Sequence, residues 1–322
     1  MSFDIAFPQT IDEAVSANEN GARWFAGGTD LIPEFKSGFV RATRWVNLKR
    51  VHELRGIRVT NEGVHIGALA TLAEIAENET IRKNYRALAQ ACSLSASPQI
   101  RNVGTIGGNL NQDSRCAYYR SGFPCLLRGG EKCFMRDGEN REAAVIGYRD
   151  CVHVHPSDPA NALVAFDARI VVRGREGERE ISAQELFRAP DTKDTRINVL
   201  NADEMITEIV LPRVPENTRS AYVKAMDRAA WTFALASVAL KFEIQNSKLE
   251  NVCVVLGGVA PIPYREFRVE KALSGVEWNE ESVTQGDYAV LGDAQPLAHN
   301  RYKIRLARGV LKRALRELLA NE

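Results

Sequence analysis

The stretch Ser97-Pro98-Gln99-Ile100-Arg101-Asn102-Val103-Gly104-Thr105-Ile106-Gly107-Gly108-Asn109-Leu110 carries most of what decides the fold. It places a glycine pair after a hydroxyl residue and before an amide. Two residues without a Cβ let backbone N–H groups approach and point at an anion such as pyrophosphate. The same device stands upstream at Ala26-Gly27-Gly28-Thr29-Asp30-Leu31, between a strand-like run at 22–26 and a helical run at 31–35. Neither pair is a GxGxxG fingerprint or a Walker motif, and a lone Gly-Gly is most simply a tight turn. A third pair at Gly257-Gly258 and a Pro156-Ser157-Asp158-Pro159 element between them raise the pattern above the generic. The chemistry fits a dinucleotide.

Working outward, Thr10 with Glu13 and Thr71 with Glu74 have capping-box spacing, so each opens a helix. Residues 63–67 read as a strand, and two helices follow. In the second, Ile81, Tyr85, Leu88 and Cys92 share one face, which makes Cys92 a small core residue. Residues 112–152 break the periodicity and read as an inserted loop. A hairpin is expected from 170 to 181, and the two prolines at 212–217 mark a boundary. Strands are expected at 221–224, 234–244 and 249–259, mostly antiparallel, with Cys253 inside the last. The closing helix buries Ile304, Ala307, Leu311, Leu315 and Leu318, and leaves Lys303, Arg305, Arg308, Lys312, Arg313 and Arg316 on a solvated face.

Composition narrows the function. The chain has 322 residues, 45% of them hydrophobic and 26% charged, with 42 Lys and Arg against 41 Asp and Glu. A net charge of +1 supplies no global field toward nucleic acid or an anionic membrane. No apolar run approaches the ~20 residues needed to span a bilayer, and the first residues lack the pattern of a signal peptide. No nucleic-acid partner and no direct membrane insertion are expected.

Four of the six cysteines fall in the inserted loop, as Cys116-x8-Cys125-x7-Cys133-x17-Cys151. In a reducing compartment such a cluster is more often a metal site than a disulfide set. Soft thiolates select zinc or an iron-sulfur cluster, and this spacing does not choose between them. Four unrelated loop cysteines are the plainer alternative. His153 and His155 alternate about Val154 and point the same way on an apparent strand, but four thiols already complete a ligand set. Arg115, Arg120, Arg128 and Lys132 either offset the charge of such a cluster or form a solvated basic loop.

Taken with AGGTDL at 26–31, these motifs resemble the FAD-binding medium subunits of the molybdenum hydroxylases, the xanthine dehydrogenase and carbon monoxide dehydrogenase family. The resemblance extends over IGA at 66–68, PSD at 156–158, KAMDRAAWTFALASVAL at 224–240 and LGGVAPIPYR at 256–265, and so over essentially the whole chain. It implies an α+β fold with two α/β FAD-binding subdomains, at 1–60 and 61–214, and a C-terminal domain of antiparallel strands and helices at 215–322. The four-cysteine insertion at about 113–151 lies in the second subdomain. FAD contacts carry over to Ala26, Gly27, Gly28, Thr29, Asp30, Leu31, Thr105, Gly108 and Asn109, with Asp158 near the flavin or its sugar chain and Lys224 near the isoalloxazine. For Asp158 a helix N-cap is the structural alternative, and for Lys224 a surface ammonium.

Members resembling the medium subunits of 4-hydroxybenzoyl-CoA reductase and bacterial aldehyde oxidoreductase carry a four-cysteine loop at this place. The resemblance therefore implies a 4Fe-4S cluster on Cys116, Cys125, Cys133 and Cys151, beside the FAD pocket. It further implies an electron-transfer subunit with two partners, a large molybdopterin-containing subunit and a small 2Fe-2S subunit, plus an external electron acceptor or donor. Competing readings are a self-contained flavin oxidoreductase and a zinc-bound interaction subunit. A cytoplasmic location is expected, or a periplasmic one if a partner carries the export signal.

Overall fold

The computed structural model describes residues 4–19, 21–281 and 290–320. The first unit runs β1 (Asp4–Ala6), α1 (Ile11–Ala17), β2 (Ala22–Phe25), α2 (Leu31–Lys36) and β3 (Arg44–Asn47), with a parallel sheet in the order β1-β3-β2. Thr10 caps α1 by accepting from the Glu13 N–H at 3.1 Å. The Glu13 carboxylate takes the N–H of Gln9 instead of that of Thr10, so this box is half formed. Its core is small and includes Ala14, Val15, Val46 and Leu54.

The second unit begins with β4 (Ile57–Val59), β5 (Gly63–Gly67) and α3 (Leu72–Glu77), where Thr71 and Glu74 complete both halves of the capping box. Then come α4 (Glu79–Asn84) and α5 (Arg86–Leu94). The single helix expected through Ile81 and Cys92 divides at Tyr85, whose φ of −128° and ψ of 48° leave the helical region. All four residues of the expected face are still buried, and the Tyr85 hydroxyl donates to the Pro212 carbonyl at 2.8 Å. Short helices α6 (Pro98–Arg101), α7 (Ile106–Leu110), α8 (Ala117–Arg120) and α9 (Phe134–Asp137) lead to α10 (Asp158–Ala165), which is buried along its whole length. Strands β6 (Arg169–Gly174), β7 (Gly177–Ser182) and β8 (Met205–Pro212) complete a sheet ordered β4-β5-β8-β6-β7. Every junction in it is antiparallel, so this unit lacks the parallel pairing of the first.

The last unit is a sheet ordered β12-β11-β10-β9, built from β9 (Thr218–Ala225), β10 (Ala236–Gln245), β11 (Lys248–Gly257) and β12 (Tyr264–Arg265), all antiparallel, with α11 (Phe267–Leu273) and α12 (Tyr302–Leu319). Its side chains alternate between two cores with the two-residue period of a strand. Tyr222, Ala239, Cys253 and Val255 face the second unit, while Val223, Val238, Leu240, Val254 and Leu256 face the α12 side. The sheet is therefore sandwiched, with α5 and α10 on one side and α12 on the other. Lys303 departs from expectation: it is 1% exposed and sits on the inner side of α12. No helix among the described residues is long and apolar enough to cross a membrane.

Candidate functional site

A cleft of about 980 Å³ opens where the three units meet. Its walls include Ala26, Gly27, Gly28, Thr29, Asp30 and Leu31, then Thr105, Gly107, Gly108 and Asn109, and then Ser157 and Asp158. The glycines are needed for different reasons. A Cβ on Gly27 would stand 2.2 Å from the Val103 carbonyl oxygen, so the first loop lies directly on the backbone of the second. Gly28 has a φ of +74°, a left-handed conformation that side chains disfavour. Gly107 packs on Ala68, whose Cβ would be 2.9 Å away. At Gly108 a Cβ would meet only the Thr105 hydroxyl at 3.0 Å, and beyond it there is open cleft. Three of these glycines thus serve the protein's own packing, and Gly108 leaves a cradle that a side chain would fill. That cradle fits the approach of a diphosphate.

Polar side chains tie the walls together. The Ser157 hydroxyl donates to Asn109 Oδ1 at 2.6 Å and caps α10 by accepting from the Ala160 N–H. The cap is therefore Ser157, and Asp158 is free for another task. Asp158 accepts from Lys224 Nζ at 2.7 Å, from the Tyr222 hydroxyl at 2.7 Å and from the Ser95 hydroxyl at 3.2 Å. Lys224 is fully buried and also donates to the Leu94 carbonyl. The pair joins α5, α10 and β9, with Asp158 at the cleft and Lys224 behind it rather than on its wall. A surface ammonium is not what Lys224 is.

Asp30 connects the first glycine loop to the insertion by accepting from the Asp113 N–H at 2.9 Å and pairing with Arg115 at 2.7 Å and Arg120 at 3.2 Å. Arg120 also pairs with the buried Glu34 at 2.8 Å. Three carboxyl groups, Asp30, Glu34 and Asp113, thus share two guanidinium groups. Burial, followed by the charges of Asp113 and Asp30, pushes Glu34 up to about 8, and burial raises Asp113 as well. A proton stays on this group at neutral pH. Glu34 is not singled out by sequence, because Asp113 and Arg120, which surround it, lie far along the chain.

The insertion brings its four cysteines together. The Cys151 thiol donates to Cys133, which lowers Cys133 to about 6 and raises Cys151. Cys116 is raised by burial and by the neighbouring Cys133 and Cys125 sulfurs, and Cys125 is raised chiefly by burial. Among the described residues no three His, Cys, Asp or Glu side chains close on a single-ion position. Cys92 and Cys253 are buried in the main cores, away from this group. The basic residues are spent elsewhere: Arg115 and Arg120 on carboxylates, Arg128 over the rings of Phe39 and Tyr119, and Lys132 over Phe134. None of these contacts is with a thiol.

Cys116, Met135, His153, His155, Glu142 and Lys303 carry the insertion's side of the cleft. The expected strand at His153 and His155 is irregular chain instead. Both imidazoles are fully buried and held neutral by desolvation, down to about 4 and about 3. His153 has neither ring nitrogen hydrogen-bonded, and His155 lacks a partner at Nε2.

Over residues 1–214 the chain matches the family described as the FAD binding domain in molybdopterin dehydrogenase, and over 221–318 the CO dehydrogenase flavoprotein C-terminal domain. It is 34% identical to the FAD-binding subunit of aldehyde oxidoreductase from Escherichia coli, over 93% of this chain and 92% of that one. It is 26% identical to the medium chain of carbon monoxide dehydrogenase from Hydrogenophaga pseudoflava, over 97% of this chain and 96% of that one. A solved structure of carbon monoxide dehydrogenase from that organism superposes with a TM-score of 0.77 at 25% identity, covering 99% of this chain and 97% of the other.

Proposed function

The chain belongs to the FAD-binding medium subunits of the molybdenum hydroxylases, and on that premise we propose that it is the electron-transfer subunit of a multisubunit oxidoreductase, holding FAD in the cleft and a 4Fe-4S cluster on Cys116, Cys125, Cys133 and Cys151. The observation that carries the reading is the shared wall: the loop that gathers four thiols is also one side of the cleft that the glycine loops line. Bound FAD exchanges electrons singly with one partner and in pairs with another.

The chain's own residues do the holding. Gly108, Thr105 and Asn109 face a diphosphate from one loop, and Ala26 to Leu31 close on it from the other. Asp30, through Arg115 and Arg120, keeps the first loop registered against the insertion. Asp158 and Lys224 hold the wall rigid between α10 and β9. Four soft sulfur ligands suit an iron-sulfur cluster, which on this reading would share a neighbourhood with the flavin. A large molybdopterin-containing subunit is the proposed seat of substrate chemistry, and a small 2Fe-2S subunit the link between it and this chain, with an external acceptor or donor completing the circuit.

Absorption spectroscopy of the anaerobically purified chain, with iron, zinc and flavin analyses, tests this. Flavin bands together with a broad iron-sulfur absorbance and matching iron are expected. Zinc without iron would replace the cluster by a tetrahedral zinc site. Substrate turnover by the isolated FAD-loaded chain would overturn the need for partners.

A further inference from the structure

Two lysines are buried near the cleft, and their partners differ. Lys224 is consumed by Asp158. Lys303, at the start of α12, donates to the Glu142 carbonyl at 2.8 Å and the Gly258 carbonyl at 2.7 Å and lines the cleft. An ammonium has three donors, so one is left over. No ion pair among the described residues includes Lys303, and desolvation lowers it to about 7, with the outlying charges of Glu142 and Arg141 acting in opposite senses. A buried cation without an anion is costly unless a ligand completes it. His153, on the same side of the cleft, is a second buried polar side chain with both nitrogens unspent.

The same cleft wall carries charged side chains, Asp227 and Arg228, as well as aromatic ones. Trp231, Phe233 and Leu235 come from the connection between β9 and β10, with Trp231 at a φ of +54° and its N–H bonded to the Ala96 carbonyl. Aromatic rings and two unspent polar groups lining one cleft suit a planar heterocycle better than a phosphate chain, which the open cradle at Gly108 serves. We infer that Lys303, presented by α12 and the third glycine pair, meets the isoalloxazine ring of bound FAD and favours its reduced, more anionic form. This rests on the FAD reading above. Positive charge near the pyrimidine side of a flavin is one of the levers by which protein tunes the cofactor.

The test compares full-length wild type with Lys303→Gln, which keeps a hydrogen-bond donor and removes the charge, and with Lys303→Met, which keeps the stem. Each is examined for its melting profile, FAD and ADP affinity, and flavin reduction potential. Both variants are expected to bind ADP as wild type does. Their ratio of affinities for reduced over oxidised FAD should fall about tenfold, a shift of about 30 mV to lower potential for a two-electron couple. Weakened ADP binding in a folded variant would place Lys303 on the diphosphate and overturn the assignment. An unchanged potential in whichever variant folds would overturn it too. Wild type that binds no FAD would instead sink the cofactor reading itself.

Discussion

The two sides of the cleft are stabilised in different ways. The glycine loops are seated on sheets and on each other: Gly27 rests on the Val103 backbone, Gly107 on Ala68, and Ile106 and Leu110 sink into the large core that also holds α5 and α10. The cysteine loop is packed in pieces: Met135, Ala143 and Val152 form a small buried cluster with Tyr118, Phe123 and Phe134 packed at its edge, and Val145 and Ile146 reach into the core of the last unit. It is held mostly by single polar ties to other parts of the chain. One side is held by one continuous core, and the other by small separate clusters and polar ties.

That contrast is broken most decisively at the thiols. Cys→Ser at 116, 125, 133 or 151 should abolish bound iron and expose residues 113–151 to rapid amide exchange, while Cys92→Ser and Cys253→Ser keep the iron. Full metal content in all four loop variants would leave the insertion as unpaired cysteines. On the other side the large effect is electrostatic. Lys224→Met strands the buried Asp158 carboxylate and should cost about 3–5 kcal/mol in denaturant unfolding, as removal of one partner of a buried pair does.

The glycines separate folding from binding. Gly27→Val must push into the Val103 carbonyl and should lose about 1–3 kcal/mol by overpacking, with flavin lost as a consequence. Gly108→Val meets only the Thr105 hydroxyl before open cleft, so it should melt much closer to wild type than Gly27→Val while its flavin content collapses. Stoichiometric FAD in a folded Gly108→Val protein would remove the diphosphate from that loop. Gly28→Val should do both kinds of damage, because its left-handed backbone resists a branched residue.

The last effect is read through pH and concerns the carboxyl group shared between the two sides. Glu34 holds its proton in the folded chain up to about pH 8, whereas the unfolded chain releases it near 4.5. Over that interval the folded state binds the extra proton, so this group's contribution to stability falls as pH rises and levels off above 8. Glu34→Gln should flatten that component. The measured quantity is the wild-type minus variant difference in unfolding free energy across pH 5 to 8, and a difference that rises with pH would contradict the assignment.

What sequence reveals follows the same division. The glycine loops, the Thr71–Glu74 box and the buried faces of Cys92 and Cys253 are legible because a local pattern specifies each of them. The antiparallel sheet of the second unit is not, since β5 pairs with β8 across the whole insertion, as in Val64 opposite Leu211. Lys303 is an instructive miss. Positions 303, 307, 310, 314 and 318 form one helical stripe, and the structure buries all five. The spacing was visible, but the ordinary preference of lysine for the surface outweighed it. Lys224 and Glu34 are buried for the opposite reason: partners distant in sequence, Asp158 and Arg120, make burial tolerable.

The ties from Asn300 to the Ala143 and Ala144 carbonyls span 157 and 156 positions of chain, and Lys303 reaches back equally far to Glu142. During synthesis the cysteine loop therefore leaves the ribosome long before the residues that fasten its far end exist. A stop codon placed just ahead of Asn300 would release a polypeptide with all four cysteines and without the Asn300 and Lys303 ties to residues 142–144.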